Sequence, residues 1–445
     1  MTDIIDELTW RGLIALSTDP DALRKALDTG PVTVYGGFDP TAPGLHIGNL
    51  VLLLTLRRLQ LAGYRPIALV GGATGLIGDP SGKSVERVLN SREVVAGWVD
   101  RIHGEVSRFL DFSAGVNGAL VVSNLDWTEP LSALEFLRDI GKHFPVSQML
   151  GRESVRARLE EGGISYTEFS YQILQANDFL ELYRRHNCTL QVGGSDQWGN
   201  LVSGVDLIRR VDGAAVHALA TPLITKPDGT KYGKTEGGAV WISADLMSPY
   251  AFYQFWLNRA DEEVPGLLRV FTFRTRGEIE DLEREIRDRP AARMAQRVLA
   301  AEVTELVHGQ AEMEKAIAVS RALFGQGDLA ALDEETLSAA IAEIPHAQVP
   351  EPGTIAVTPA GAGQPGRSAM THEGLPTVAD LMAATGIVPS KSAARRAIAG
   401  GGAYLNNQKV TEPDARPQPG DLLRGRFLVL RRGKRTVGGV EVVRT

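Results

Sequence analysis

Residues 31–72 read PVTVYGGFDPTAPGLHIGNLVLLLTLRRLQLAGYRPIALVGG, and the way this stretch divides decides the fold. PVTVYGGFDPT carries the β-branched and aromatic side chains of a strand. LHIGNLVLLLTLRRLQLAG has the length and apolar density of a helix, and Gly63 ends it. RPIALVGG follows at once as a second buried strand. Two strands joined by such a helix make a parallel βαβ unit. The alternation continues with a helix from about 91 to 110, a strand at GALVVSN (118–124) and a helix around 131–140. The spacing predicts an α/β fold with a Rossmann-like, doubly wound parallel sheet and helices on both faces. Residues 145–186 break the rhythm as a helical insertion. The βα pattern resumes at CTLQVGGSDQWGN (188–200).

The chain has 445 residues, 43% of them hydrophobic, enough for two or three domains. Residues 1–248 form the expected α/β domain. Residues 249–345 read as a helical domain, with apolar positions three and four apart in EIEDLEREIRDRPAARMAQRVLAAEVTELVHG. Residues 346–374 hold Pro, Gly, Ala and Ser in place of a core and read as a flexible linker. Residues 375–445 form a small α+β module with 12 Lys and Arg against 5 Asp and Glu. Its net charge is +7, which leaves −14 on the preceding residues, since the whole chain carries −7. An acidic body with a basic tail suits a protein whose tail holds a polyanion; a merely solvated basic surface is the other reading. No apolar run reaches the roughly 20 residues that span a bilayer, and the acidic start MTDIIDELTWRG lacks the order of a signal peptide. The expected location is the cytoplasm, without membrane partners. Cys188 is the only cysteine, which excludes a disulfide framework and a cysteine-rich zinc site.

GGATGLIGDPSGKS (71–84) ends like a phosphate-binding P-loop but fails the pattern. Ile77 stands where its first glycine belongs, and Asp79 would put a carboxylate inside the phosphate cradle. A dinucleotide fingerprint fails as well, because Gly71-Gly72-Ala73 lacks the glycine at the third position. A dehydrogenase is thereby disfavoured. Two other clusters carry more. His46 and Asn49 lie three apart in the first turn of a helix that follows a strand, where side chains and unpaired N–H groups face an anion together. TKPDGTKYGKTEGG (225–238) places Lys231 and Lys234 in a Gly-rich loop.

H-x-G-[HN] after the first strand and K-x-x-K-[ST] after the last resemble the paired signatures of class I aminoacyl-tRNA synthetases. With YGGFDPTAPGLHIGN, GGATGLIGDPSGKS, FSYQILQANDF, VGGSDQWGN and TKYGKT, the chain from about 5 to 345 is similar to bacterial tyrosyl-tRNA synthetases. LPTVADLMAATGIVPSKSAARRAIAGGGAYLNNQKV (375–410) resembles the alpha-L RNA-binding motif that such enzymes carry at their end. The resemblance implies ATP, with Mg2+, as a substrate, no tightly held protein metal, and L-tyrosine and tRNA(Tyr) as partners. It also implies a homodimer that meets through residues 118–144.

By the same resemblance, Asp79, Tyr171 and Gln175 meet the α-ammonium of tyrosine, and Tyr35 and Asp178 hydrogen-bond its phenol. Thr41 and His46 reach the γ-phosphate and Asn49 the ribose side, while Asp39, Asp196 and Gln197 position substrate. Gly48 and Thr235 belong to the ATP site. Lys83, Arg87, Lys231 and Lys234 converge on pyrophosphate. Lys391, Arg395, Arg396 and Lys409 are the expected RNA contacts. The chain departs from its relatives at Asn49, where a second histidine is common, and at Gly36, where a cysteine is. The nearest rival is a tryptophanyl-tRNA synthetase, against which Tyr35 and Asp178 argue, since an indole has one donor where a phenol takes two partners. A non-enzymatic RNA-binding protein on the same scaffold is the rival from another class; it would have no need of His46, Lys231 and Lys234.

Overall fold

The computed structural model describes residues 3–81, 90–113, 115–225, 239–351 and 374–443. The chain forms two compact units: residues 1–247 with 259–303, and residues 248–258 with 304–445.

The first unit is built on β1 (Leu16–Ser17), β2 (Thr33–Phe38), β3 (Arg65–Val70), β4 (Leu120–Ser123), β5 (Cys188–Gly194) and β6 (His217–Thr221). Their order is β1-β6-β5-β2-β3-β4. All neighbours pair in parallel except β1, which closes the β6 edge antiparallel. From β2 the chain winds outward through β3 and β4, then returns to the other side through β5 and β6. The reversal lies between β2 and β5, where loops at the strands' carboxyl ends part and leave a crevice.

The helix Ile47–Leu61 connects β2 to β3 and is buried on almost every face, Leu50, Leu53, Leu54 and Leu56 wholly so. It lies so close to β2 that a Cβ on Gly36 would come within 3.1 Å of the Leu52 and Leu56 methyls. A larger residue there needs the two leucine methyls to give by a few tenths of an ångström. The helix ends as the sequence predicts: Gly63 takes φ +101°, and Tyr64 N–H and Gly63 N–H bond back to the carbonyls of Leu59 and Gln60. Residues 145–186 are helical as expected, as Val146–Leu150, Glu153–Glu161 and Tyr166–His186. The last of these is a layer of the core, since Phe179 packs on the Tyr35 ring of β2 at 5.3 Å between centroids.

The helical block expected at 249–345 divides between the units. Its middle part, residues 259–303, stays with the sheet, tied in part by two buried arginines. Arg58 donates to the carbonyls of Val270 and Thr272, and Arg11 to those of Arg269, Thr272 and Arg274. These carbonyls lie at and just beyond the end of the helix Val264–Phe271, where the helix itself offers no N–H partners.

The second unit holds β7 (His346–Pro350), β8 (Ala403–Leu405), β9 (Gln408–Lys409), β10 (Phe427–Arg432) and β11 (Thr436–Val443), in the order β7-β11-β10-β8-β9. β7 occupies the start of the expected linker and pairs in parallel with β11, so the linker cannot begin at 346; residues 352–373 lie outside the described part. β10 is apolar on both faces. Leu428 and Leu430 join Val378, Leu381, Met382 and Ile398 in one core, while Val429 joins Leu323, Leu329 and Ala340 in another. The tail sheet therefore needs the helices Gln310–Leu323 and Glu334–Ala342 to cover its second face, which is why they cluster with the tail.

Arg58→Met removes two charge-assisted hydrogen bonds from buried carbonyls. We expect the first unit to lose about 2–3 kcal/mol, read as an earlier denaturant transition. An unshifted transition would show that these carbonyls find other donors.

Candidate active site

The crevice is lined from below by a buried carboxylate. Asp178 lies on the helix Tyr166–His186, almost fully out of solvent. It accepts hydrogen bonds from Asn124 Nδ2 at 3.0 Å and from the Trp127 indole N–H at 2.8 Å. Burial pushes its pKa up to about 7, against the pull of these two donors. Tyr35, on the neighbouring strand, is equally buried, and its hydroxyl has no hydrogen-bond partner among the described residues. Burial and the nearby Asp178 hold that phenol well above its usual pKa, so it stays a neutral O–H.

Asn124 extends the network toward the mouth. Its Oδ1 accepts from Ala73 N–H at 2.7 Å, and its Nδ2 also donates to Thr74 Oγ1 at 3.0 Å. Thr74 donates to Asp39 Oδ1 at 2.7 Å, and Tyr171 donates to Asp39 Oδ2 at 2.5 Å. Loops after β2, β3 and β4 are thereby tied to one helix. Gly71 makes room for the knot, since a Cβ there would lie 2.0 Å from Asp39 Oδ1 and 2.3 Å from Thr74 Oγ1.

Asp79 forms a second knot. Its Oδ1 accepts from Ser81 N–H at 3.0 Å and its Oδ2 from Gln197 Nε2 at 2.5 Å, while Asn200 donates to Gln197 Oε1 at 2.9 Å. Gln197 and Asp196 sit in the 3-10 turn Ser195–Gln197 that follows β5. Gln175, one helical turn from Tyr171, carries a buried Oε1 with no partner among the described residues. A buried amide oxygen of this kind, with carboxylates in the same crevice, suits a cationic ligand group.

His46 caps the helix Ile47–Leu61. Its Nδ1 accepts from Gly48 N–H at 3.0 Å, and Asn49 Oδ1 accepts from His46 N–H at 3.1 Å. The first bond places the ring proton on Nε2, which becomes a donor, and the second leaves the Asn49 amide N–H2 for a ligand. Gly48 must lack a side chain, since its Cβ would stand 2.8 Å from His46 Cε1. Thr41 lies in the loop before this helix, half-buried, its N–H on the carbonyl of Asp39 at 2.8 Å.

The structure thus brings Tyr35, Asp39, Asp79, Tyr171, Gln175, Asp178 and Gln197 to the crevice and places His46, Gly48 and Asn49 at a helix start beside it. Lys83, Arg87, Lys231, Lys234 and Thr235 lie outside the described residues. The sequence reading missed Asn124, Trp127, Thr74 and Asn200. Asn124 was legible, because it closes the strand GALVVSN at the sheet end where ligands bind.

In the second unit, Lys391 pairs with Asp380 at 2.6 Å and Arg395 with Asp414 at 2.5 Å, all four side chains well exposed. Arg396, on the same helix Lys391–Ala399, and Lys409 on β9 face solvent. Among the described residues no helix is long and apolar enough to cross a membrane, and no three His, Cys, Asp or Glu side chains gather as a metal site. Cys188 is buried, which pushes its thiol pKa up.

Residues 27–325 match the family of tRNA synthetases class I (W and Y), which agrees with the parallel sheet, its switch point and the capped His46 helix. The fold and site are those of a class I aminoacyl-tRNA synthetase. Residues 365–437 match the tyrosine–tRNA ligase SYY-like C-terminal domain. The tyrosine–tRNA ligases of Acidothermus cellulolyticus and Streptomyces coelicolor are 59% and 60% identical over 444 residues, spanning 99% of both chains in each case. A C-terminally truncated mitochondrial tyrosyl-tRNA synthetase from Aspergillus nidulans superposes with a TM-score of 0.67 at 29% identity, over 73% of this chain and 94% of that one. The chain belongs to the tyrosyl-tRNA synthetase family.

Proposed function

We infer that the chain is a tyrosine–tRNA ligase: it joins L-tyrosine to ATP as tyrosyl-adenylate and passes the tyrosyl group to the 3′ end of tRNA(Tyr). The carrying observation is that a neutral Tyr35 hydroxyl, without a hydrogen-bond partner among the described residues, and the fixed Asp178 carboxylate are buried near each other. A phenol both donates and accepts, so tyrosine satisfies both groups. Phenylalanine leaves two buried polar groups bare; tyrosyl-tRNA synthetase is the standing illustration of that form of selection. An indole has no acceptor for the Tyr35 O–H.

Asp79, the Tyr171 oxygen and Gln175 Oε1 receive the α-ammonium. The Tyr171 proton is committed to Asp39, so its lone pairs face the ligand. A tyrosine carboxylate oxygen then attacks the α-phosphorus of ATP, and the α–β phosphoanhydride bond breaks to release pyrophosphate. The carboxylate is already nucleophilic, so the residues' work is to position it and to stabilise phosphate charge. His46 Nε2–H and Thr41 reach the γ-phosphate, and the Asn49 amide the ribose side, with Asp39, Asp196 and Gly48 shaping the ATP site. Lys83, Arg87, Lys231, Lys234 and Thr235 complete the pyrophosphate contacts by family resemblance. ATP enters as its magnesium complex, and the ion is counted with the substrate.

The basic tail grips tRNA phosphates through Lys391, Arg395, Arg396 and Lys409, two of which exchange exposed carboxylate partners for phosphate. A second copy of the chain covers the region 118–144, where Leu134 is 80% and Leu137 52% exposed.

ATP–pyrophosphate exchange with each of the 20 amino acids tests this reading. We expect exchange with L-tyrosine and negligible exchange with L-phenylalanine or L-tryptophan; tryptophan outperforming tyrosine would contradict it.

The Asp178 pKa near 7 adds a pH dependence. The ionised form accepts from the phenol, so tyrosine affinity is fully present above that pH and lost as pH falls through it. Between pH 8 and 6 the tyrosine Kd should rise by up to about tenfold in the wild type and stay level in Asp178→Asn. A level wild-type profile would show that tyrosine does not need the ionised form.

A further inference from the structure

Two segments meet at the His46 cap without any residue assigned to hold them. Ile47 N–H bonds to the Val240 carbonyl and Ile242 N–H to the Leu45 carbonyl, each at 3.0 Å, so His46 faces Trp241 in a one-bridge antiparallel pair. One bridge is a weak fixture. Beneath it lies Glu105, a buried carboxylate on the helix Arg92–Val106. Its Oε2 accepts from Leu45 N–H, directly before His46, at 2.8 Å. Its Oε1 lies 3.3 Å from Arg101 Nε, one helical turn back. Arg101 continues outward to Ser243 Oγ at 2.9 Å and Asp245 Oδ1 at 2.5 Å. Gly44 is the gap that admits this pair: a Cβ there would stand 3.0 Å from Glu105 Oε1 and 3.4 Å from Arg101 Nε.

A carboxylate is costly to bury, and this one is retained where it bonds a backbone N–H and a guanidinium that reaches a second segment. We propose that Glu105 is a positioning residue for His46: through the Leu45 amide and Arg101 it fixes the helix cap against residues 240–245 and so aims the imidazole at the triphosphate. The assignment rests on the reading of His46 given above. Glu105 touches no substrate and acts through the backbone. Adenylate formation gains from the fixed ring, because His46 contributes to the transition state; tyrosine binding does not, because none of its contacts pass through this pair.

The test is single-turnover adenylate formation with the full chain, alongside equilibrium tyrosine binding. Glu105→Met keeps the volume but removes the acceptor. We expect the rate constant to fall about 10- to 100-fold with tyrosine Kd unchanged. Glu105→Gln retains an acceptor for Leu45 N–H and should restore most of the rate. Asp245→Ala, at an exposed position, removes Arg101's outer carboxylate partner and should lower the rate more mildly. In a His46→Ala background none of these changes should cost more, because the ring they aim is gone. Full activity of Glu105→Met, or an equal loss in both backgrounds, would overturn the positioning role. A fall in tyrosine affinity matching the fall in rate would overturn it too. Full activity of His46→Ala alone would instead remove the role assigned to His46, and the positioning role with it.

Discussion

A charge kept out of water dictates the geometry of the site. Asp178 lies under the sheet's carboxyl ends, and an isolated carboxylate there would cost several kcal/mol, so donors must come to it. Asn124 and Trp127 supply them. Asn124 has two further bonds to make, to Ala73 N–H and Thr74, and Thr74 hands the chain on to Asp39 and Tyr171. The demand of one buried group thus sets the mutual positions of three loops from three strands. Removing either donor would favour the neutral form of Asp178, and removing Asn124 would also release the loop after β3 from the loop after β4.

Much of this was legible in the residues. The βαβ reading of residues 31–72 located β2, the helix Ile47–Leu61 and β3 because apolar content and glycine punctuation are local properties. The pairing of Tyr35 with Asp178 came only from family resemblance, since the residues lie on different elements. Trp127 and Glu105 escaped for a related reason: what singles them out is the partner each meets across the fold, 51 and 60 residues away. β7 escaped because HAQVP has little strand character, and pairing with β11 holds it.

The two knots also separate tasks. In the proposed reading the Asp178 end of its network selects the side chain, while Tyr171 at the far end of that network joins the Asp79 knot in receiving the ammonium. The His46 cap has a further carboxylate of its own in Glu105, which accepts from Leu45 N–H, so the proposed phosphate contacts do not rest on the Asp178 network alone. This fits a reaction in which a ready nucleophile needs only placement, and the charge to be stabilised develops some distance from the side chain that is read.

Selection by the Tyr35–Asp178 pair is the claim on which the account turns, and the ratio of kcat/KM for tyrosine to that for phenylalanine measures it most directly. Tyr35→Phe removes one of the two hydrogen-bonding groups without removing volume from the pocket. The account predicts that the ratio falls about tenfold, through loss of activity with tyrosine and not through structural damage that slows both substrates alike. An unchanged ratio would contradict it, and would mean that the phenol is recognised elsewhere.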